Sequence, residues 1–192
     1  MLVRRKFWYR VISILAILVV GVGIYGLLQS LGNALSGSAA PTAPAEAQSG
    51  AASSTTESQI AQAVFAAINK DREAAGLPAL GWSDALVQGA HKHNQAMASA
   101  NQLSHQLPGE ADLGKRVTQD GLKWWWVGEN IGQTTDATVN GALAIHKAMM
   151  AEQPPEDGHR KNILTTEGKL IGIDVLIDAN HQLWITEDFA KV

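Results

Sequence analysis

Leu170–Ile177 (LIGIDVLI) and Gln182–Phe189 (QLWITEDF), with Asp178-Ala179-Asn180-His181 between them, decide the fold class. Both segments are rich in β-branched and aromatic residues and the link is made of turn formers, so the pair reads as a hairpin. Upstream the periodicity changes. Ser58 to Ala75 places Ile60, Val64, Phe65 and Ile68 at helical spacing and ends in Gly76-Leu77-Pro78, the punctuation expected after a helix. Ser83 or Asp84 can cap a second helix running to about Asn101, with Leu86, Ala90, His93 and Met97 on one stripe. A loop region follows, with a short helix near Leu113 to Thr118 and an extended piece from Trp124 to Ile131. Thr134-Thr135-Asp136 starts another helix, whose stripe is Val139, Ala142, Leu143, His146 and Met149 or Met150, and Gln153-Pro154-Pro155 stops it. Helices first and a hairpin last predict an α+β domain.

The N-terminus has a different character. Arg4, Arg5, Lys6 and Arg10 precede an uninterrupted apolar run from Val11 to Leu28, the order of a signal sequence or signal anchor. Its 18 residues exceed the roughly 7 to 15 of a cleavable core and reach the roughly 17 to 25 needed to span hydrocarbon. Residues 1–29 are therefore expected to form a retained membrane anchor contacting the bilayer through residues 11–28, with everything after Leu28 outside the cytoplasm. Small residues around Ser36 to Ala40 keep cleavage and secretion as the alternative. Residues 30–57, rich in Ala, Ser, Gly, Thr and Pro, lack the apolar surface to offset ordering entropy and read as a disordered, flexible linker. Residues 58–192 are one domain's worth of chain.

There is no cysteine, so neither disulfides nor a lipid-modified cysteine hold or anchor the domain. All 18 acidic residues lie beyond the basic flank, against 11 remaining basic ones, a charge of −7 for the exported part. That argues against nucleic acid and against simple electrostatic docking onto anionic lipid.

Two histidines stand apart from the others. His91 and His93 are two apart on a helix and point to nearly opposite sides, which is not a chelating pair. His93 and His146 lie on apolar stripes and read as hydrogen-bonded residues of the core or its edge. His105 and His159 sit beside Ser, Gly or Pro in segments with loop character, where side chains can converge on a cleft. With Glu129 they make a set of two imidazoles and one carboxylate, able to hold Zn²⁺ with a position open to water, or to act without metal as an acid/base pair. The alternative is that Glu129 and Asn130 bind backbone groups and His159 orders its loop. Trp124-Trp125-Trp126 cannot all face one core, since extended residues alternate sides; they are packed residues with one indole at the surface, or an aromatic platform for lipid or glycan.

The ordered pattern Asn69-x-x-Arg72, Gly76-Leu77-Pro78-x-Leu80-x-Trp82, Leu86-x-x-x-Ala90, Met97, Ser104-His105, Arg116, Gly128-Glu129-Asn130-Ile131, Gly158-His159-Arg160-x-Asn162-Ile163-Leu164, Gly172 and Trp184 resembles the CAP superfamily. That superfamily comprises cysteine-rich secretory, venom-antigen and plant pathogenesis-related proteins, and this chain looks like its short, cysteine-free bacterial branch. The resemblance implies an α-β-α sandwich whose central cleft is lined by two histidines and two acidic residues and, in some members, binds a divalent metal such as Zn, Ca or Mg. His105, Glu129 and His159 match three of the four; Glu152 is nearest in character to the fourth.

Two functions follow as expectations. One is a non-enzymatic envelope domain that binds lipid, cell-wall glycan or protein through the cleft and the tryptophans. The other is a metal-dependent hydrolase or peptidase using His105, Glu129 and His159, with Glu152 as the candidate base. No Gly-x-Ser-x-Gly, no cysteine and no His-Glu-x-x-His helix occurs, which argues against covalent acyl catalysis and the commonest zinc-peptidase arrangement.

Overall fold

The structure, a computed structural model, describes residues 46–192, with side chains from residue 56 onward. The expected anchor at 1–29 and the first part of the expected linker lie outside these residues. No helix among the described residues is long and apolar enough to cross a membrane.

The chain order is α1 (Glu46–Ala74), β1 (Gly81–Trp82), α2 (Asp84–Ala100), α3 (Leu113–Gln119), β2 (Trp126–Thr134), α4 (Val139–Met150), α5 (Gly158–Ile163), β3 (Leu170–Ile177) and β4 (Leu183–Lys191). The architecture is α+β. One sheet has the order β1-β3-β4-β2, with β3 and β4 as the antiparallel hairpin, β2 antiparallel to β4, and the two residues of β1 parallel to β3.

Local chemistry explains the helix starts. Ser83 accepts a hydrogen bond from Leu86 N, Asp112 from Lys115 N and Thr138 from Gly141 N, each satisfying one of the orphan donors of a first turn. Three features depart from the sequence reading. First, α1 is already helical at Glu46, so residues 46–57, assigned by composition to a disordered linker, are helix. The first core residue among its described side chains is Ile60, and extending a helix from a packed segment costs far less than nucleating one. Second, β1 is too short to show a period. Third, His159 lies not in a loop but in the short helix α5.

Register divides the domain into two cores, because paired residues of adjacent strands share a face. On one face Ile171, Ile173 and Val175 of β3, with Leu183, Ile185 and Phe189 of β4, pack against Ile60, Val64 and Ile68 of α1, Ala142 and Met149 of α4 and Ile163 of α5. On the other, Trp184 and Ala190 of β4 and Ile131 of β2 meet Leu86 and Met97 of α2 and Val117 of α3. His146, buried, reaches back from α4 to Asp71 of α1 at 2.8 Å, pinning the two helices of the first layer.

Gly172 sets the approach of α2 to the sheet. A Cβ there would lie 2.3 Å from Val87 N and 2.4 Å from Leu86 Cβ. Gly172→Ala is therefore expected to lower stability by about 2 kcal/mol through overpacking; an unchanged denaturation midpoint would remove this contact from the account.

Candidate functional site

Gly128-Glu129-Asn130-Ile131 lies in β2, an edge strand, and strand alternation sends its two polar side chains to opposite faces. Glu129 turns to the layer of α2 and α3. Its Oε1 lies 2.8 Å from His105 Nδ1, and its Oε2 accepts a hydrogen bond of 2.7 Å from Arg116 Nη2. Arg116 also donates to the carbonyl of His105 at 3.0 Å, so one guanidinium holds both the carboxylate and the loop that carries the histidine. His93, fully buried, holds that loop from below: its Nδ1 is 2.7 Å from Glu110 Oε1, while Nε2 lies 3.8 Å from Glu129 Oε2.

Burial by itself would push the Glu129 carboxyl up. The hydrogen bond with His105 and the charges of Arg116 and His93 outweigh it and hold the group below its ordinary value. Asp188, directly opposite Glu129 across the sheet, goes the other way: burial and the neighbouring Glu129 charge push it well up, against the pull of Arg116.

Asn130 turns to the opposite face. Its Nδ2 donates to Glu187 Oε2 at 2.9 Å, and its Oδ1 accepts from Asn162 Nδ2 of α5 at 2.9 Å. Asn162 also donates to the backbone carbonyl of Glu129 at 3.1 Å. These bonds fix α5, and with it His159, beside the edge strand.

Glu152, two residues beyond α4, completes the arrangement. Its Oε1 is 2.5 Å from His159 Nδ1, while Oε2 accepts from the backbone N–H groups of His159 and Arg160. The cap residue Asp157 makes no side-chain cap bond, so Glu152 satisfies α5's first-turn donors as it orients the imidazole. Because β2 is an edge strand, His105 from one layer and His159 from the other meet past it, with ring centroids 6.5 Å apart and planes 29° from parallel. His105, Glu129, His159 and Glu152 are thus brought together as two histidine–carboxylate pairs.

Both imidazoles are partly exposed and carry a carboxylate on Nδ1, so that in the neutral ring the proton sits on Nδ1 and Nε2 is the acceptor. That is the orientation an outer carboxylate gives a metal-binding histidine. Both oxygens of each glutamate are already engaged, so the carboxylates stand behind the imidazoles rather than beside them. Among the described residues no three His, Asp or Glu side chains group as a ready-made metal set.

The family model described as "CAP: Cysteine-rich secretory protein family" matches residues 65–189. The chain belongs to the CAP family. Three solved structures share the fold of this CAP domain. An extracellular protein containing an SCP domain from Bacillus anthracis is 24% identical with a TM-score of 0.64, covering 80% of this chain and 45% of its own. An outer surface protein from Borrelia burgdorferi is 16% identical with a TM-score of 0.60, over 69% and 92% of the two chains. A cysteine-rich secretory protein from Staphylococcus aureus is 18% identical with a TM-score of 0.56, over 71% and 39%. The chain thus spans less than half the length of the first of these relatives. No curated protein matches it in sequence.

The three tryptophans of this CAP domain do not form a shared platform. Trp124 Nε1 donates to Gly114 O and Thr118 Oγ1, Trp126 packs against the α1/α4 core, and only Trp125 stands open, at 79% exposure. The chain bends at Trp125, just before β2, so Trp124 turns to one core and Trp126 to the other. Glu110, Arg116 and His93 were not singled out as site residues by sequence reading. Arg116 carried a signal only through its place in the ordered family pattern, and Glu110 carried none.

Proposed function

We propose that this chain is an extracytoplasmic CAP domain that binds rather than cleaves, taking a ligand between His105 and His159. The observation that carries the reading is the pair of Nδ1-anchored imidazoles, each with Nε2 available and each backed by a fully committed carboxylate. Such a site accepts a hydrogen-bond donor from a polar ligand, or a divalent cation held by the two Nε2 atoms with ligand or water in its remaining positions. A cation there would polarise an oxygen bound to it; the chain's own contribution is to fix the two imidazoles through their Nδ1 atoms and leave Nε2 for the cleft. The hydrolase reading is less well supported, because a base must have a carboxylate oxygen free to take a proton from water. Glu129 is spent on His105 and Arg116, and Glu152 on His159 and two backbone amides.

The placement outside the cytoplasm is supported by the basic flank and apolar run of the N-terminus and by relatives described as extracellular or outer-surface proteins. It would make a cell-envelope lipid, glycan or protein the ligand. Calorimetric titration of the full chain in detergent with Zn²⁺, Ca²⁺ and Mg²⁺ tests the cation. Binding near micromolar affinity, corresponding to about −8 kcal/mol, is expected for at least one ion and should vanish in the His105→Ala, His159→Ala double variant. Equal binding by both proteins would place the cation elsewhere.

A further inference from the structure

The exported part carries net negative charge, yet its basic residues are not spread evenly. At the end of the sheet where β2 begins, β4 ends and β3 begins, the backbone N–H of Trp125 donates to Lys191 O at 2.7 Å and that of Lys169 to Ala190 O at 2.9 Å. Lys123 is two residues from Trp125, and the Trp124 indole is hydrogen-bonded to Gly114, next to Lys115. Four of the 11 basic residues beyond the N-terminal flank therefore surround one corner. Lys115, Lys123 and Lys169 are exposed and Lys191 partly so. Two acids face them: Asp112 pairs with Lys115 and Glu167 with Lys191. Lys123 and Lys169 are in no ion pair among the described residues, Lys169 donating to the Thr166 carbonyl instead.

At the same corner stands Trp125, at 79% exposure the most open large apolar side chain among the described residues. Its backbone is tied to β4, so the indole is held out from a rigid sheet end rather than from a loose loop. An exposed indole at a corner that also carries lysines matches the region where apolar chains meet anionic headgroups, since Trp prefers that depth and each lysine near the surface adds to the attraction. A soluble anionic polymer would use the lysines but leave the indole in water.

We propose that this corner, Trp125 with Lys115, Lys123, Lys169 and Lys191, seats the domain on an anionic phospholipid surface, separately from the cleft between the histidines. The test uses the full chain reconstituted in two vesicle types, phosphatidylcholine alone and an equimolar mixture with phosphatidylglycerol, each carrying brominated acyl chains that quench nearby tryptophan. Subtracting the spectrum of Trp125→Phe isolates Trp125. Its quenching is expected to be several-fold stronger in the anionic vesicles and to fall back to the neutral level in high salt and in the Lys123→Gln, Lys169→Gln variant. Equal quenching in both vesicle types, or none, would overturn the proposal. So would protection of Trp125 from aqueous acrylamide by soluble polyphosphate without any lipid quenching, which would assign the corner to an anionic polymer.

Discussion

Glu187→Gln is expected to stabilise the domain by on the order of 3 kcal/mol at pH 8 and to leave it nearly unchanged at pH 4. Glu187 sits in the middle of β4, fully buried between Ile173 and Asn130 on the neighbouring strands. Asn130 donates to its Oε2, and its Oε1 has no hydrogen-bond partner. Burial pushes the carboxyl from 4.5 up to about 7, only partly opposed by that one hydrogen bond. Below about pH 4.5 the group is protonated in folded and unfolded chains alike and contributes nothing. Between 4.5 and 7 the unfolded chain releases its proton while the folded chain keeps it, so stability falls as pH rises through that window and levels off above it. Glutamine keeps an acceptor for Asn130 and cannot ionise. Urea denaturation at a series of pH values checks this. A variant whose stability falls with pH as steeply as the wild type would show that Glu187 is not the group being titrated. Asp188, raised in the same direction, remains in the variant and retains its own share of the slope.

Arg72→Ala should act in the opposite direction and lower stability by about 4 kcal/mol. Arg72 is 1% exposed and donates to three carbonyls, Pro78 O at 2.9 Å, Ile163 O at 2.7 Å and Thr165 O at 2.8 Å. Burial lowers its guanidinium from the usual value, and no carboxylate among the described residues pairs with it, so carbonyl dipoles alone compensate the charge. Truncation leaves three acceptors unsatisfied, two of them at the end of α5 and just beyond it. Arg72→Lys should recover only part of the loss, because one ammonium cannot reproduce the planar fork. Denaturation midpoints measure the cost, and hydrogen exchange at Ile163 to Thr165 shows where it falls. A loss within about 1 kcal/mol, the ordinary range for point substitutions, would mean that water replaces the fork and that α5 is held from elsewhere.

Much of the architecture was legible in the chain because it rests on short-range patterns. The stripes of α2 and α4, the Ser83 cap, and the hairpin of β3 and β4 all follow from spacing and turn chemistry within a few residues, whereas α4 starts at a Thr138 cap rather than at the expected Thr134-Thr135-Asp136. β1 and α5 escaped for the same reason: two and six residues show no period, and each exists because something distant supports it. β1 pairs with β3, and α5 is capped by Glu152 and clasped by Arg72.

The site divides along the same line. Residue types and the ordered family motifs pointed to His105, Glu129 and His159, and left Glu152 as a candidate beside a proline pair. That Glu152 orients His159 depends on the chain folding back after α4, which no local pattern encodes. Likewise, nothing in Trp124-Trp125-Trp126 says which indole stays in water; the two cores claim Trp124 and Trp126 and leave Trp125. The sequence by itself determined the longer helices and the hairpin, the α+β class and the family, since periodicity, caps and motif order act locally along the chain. Only the tertiary structure decided how the four cleft side chains pair and which buried carboxyls are pushed above their ordinary range. Those outcomes depend on hydrogen-bond partners and on desolvation, and both exist only once distant segments have been brought into contact.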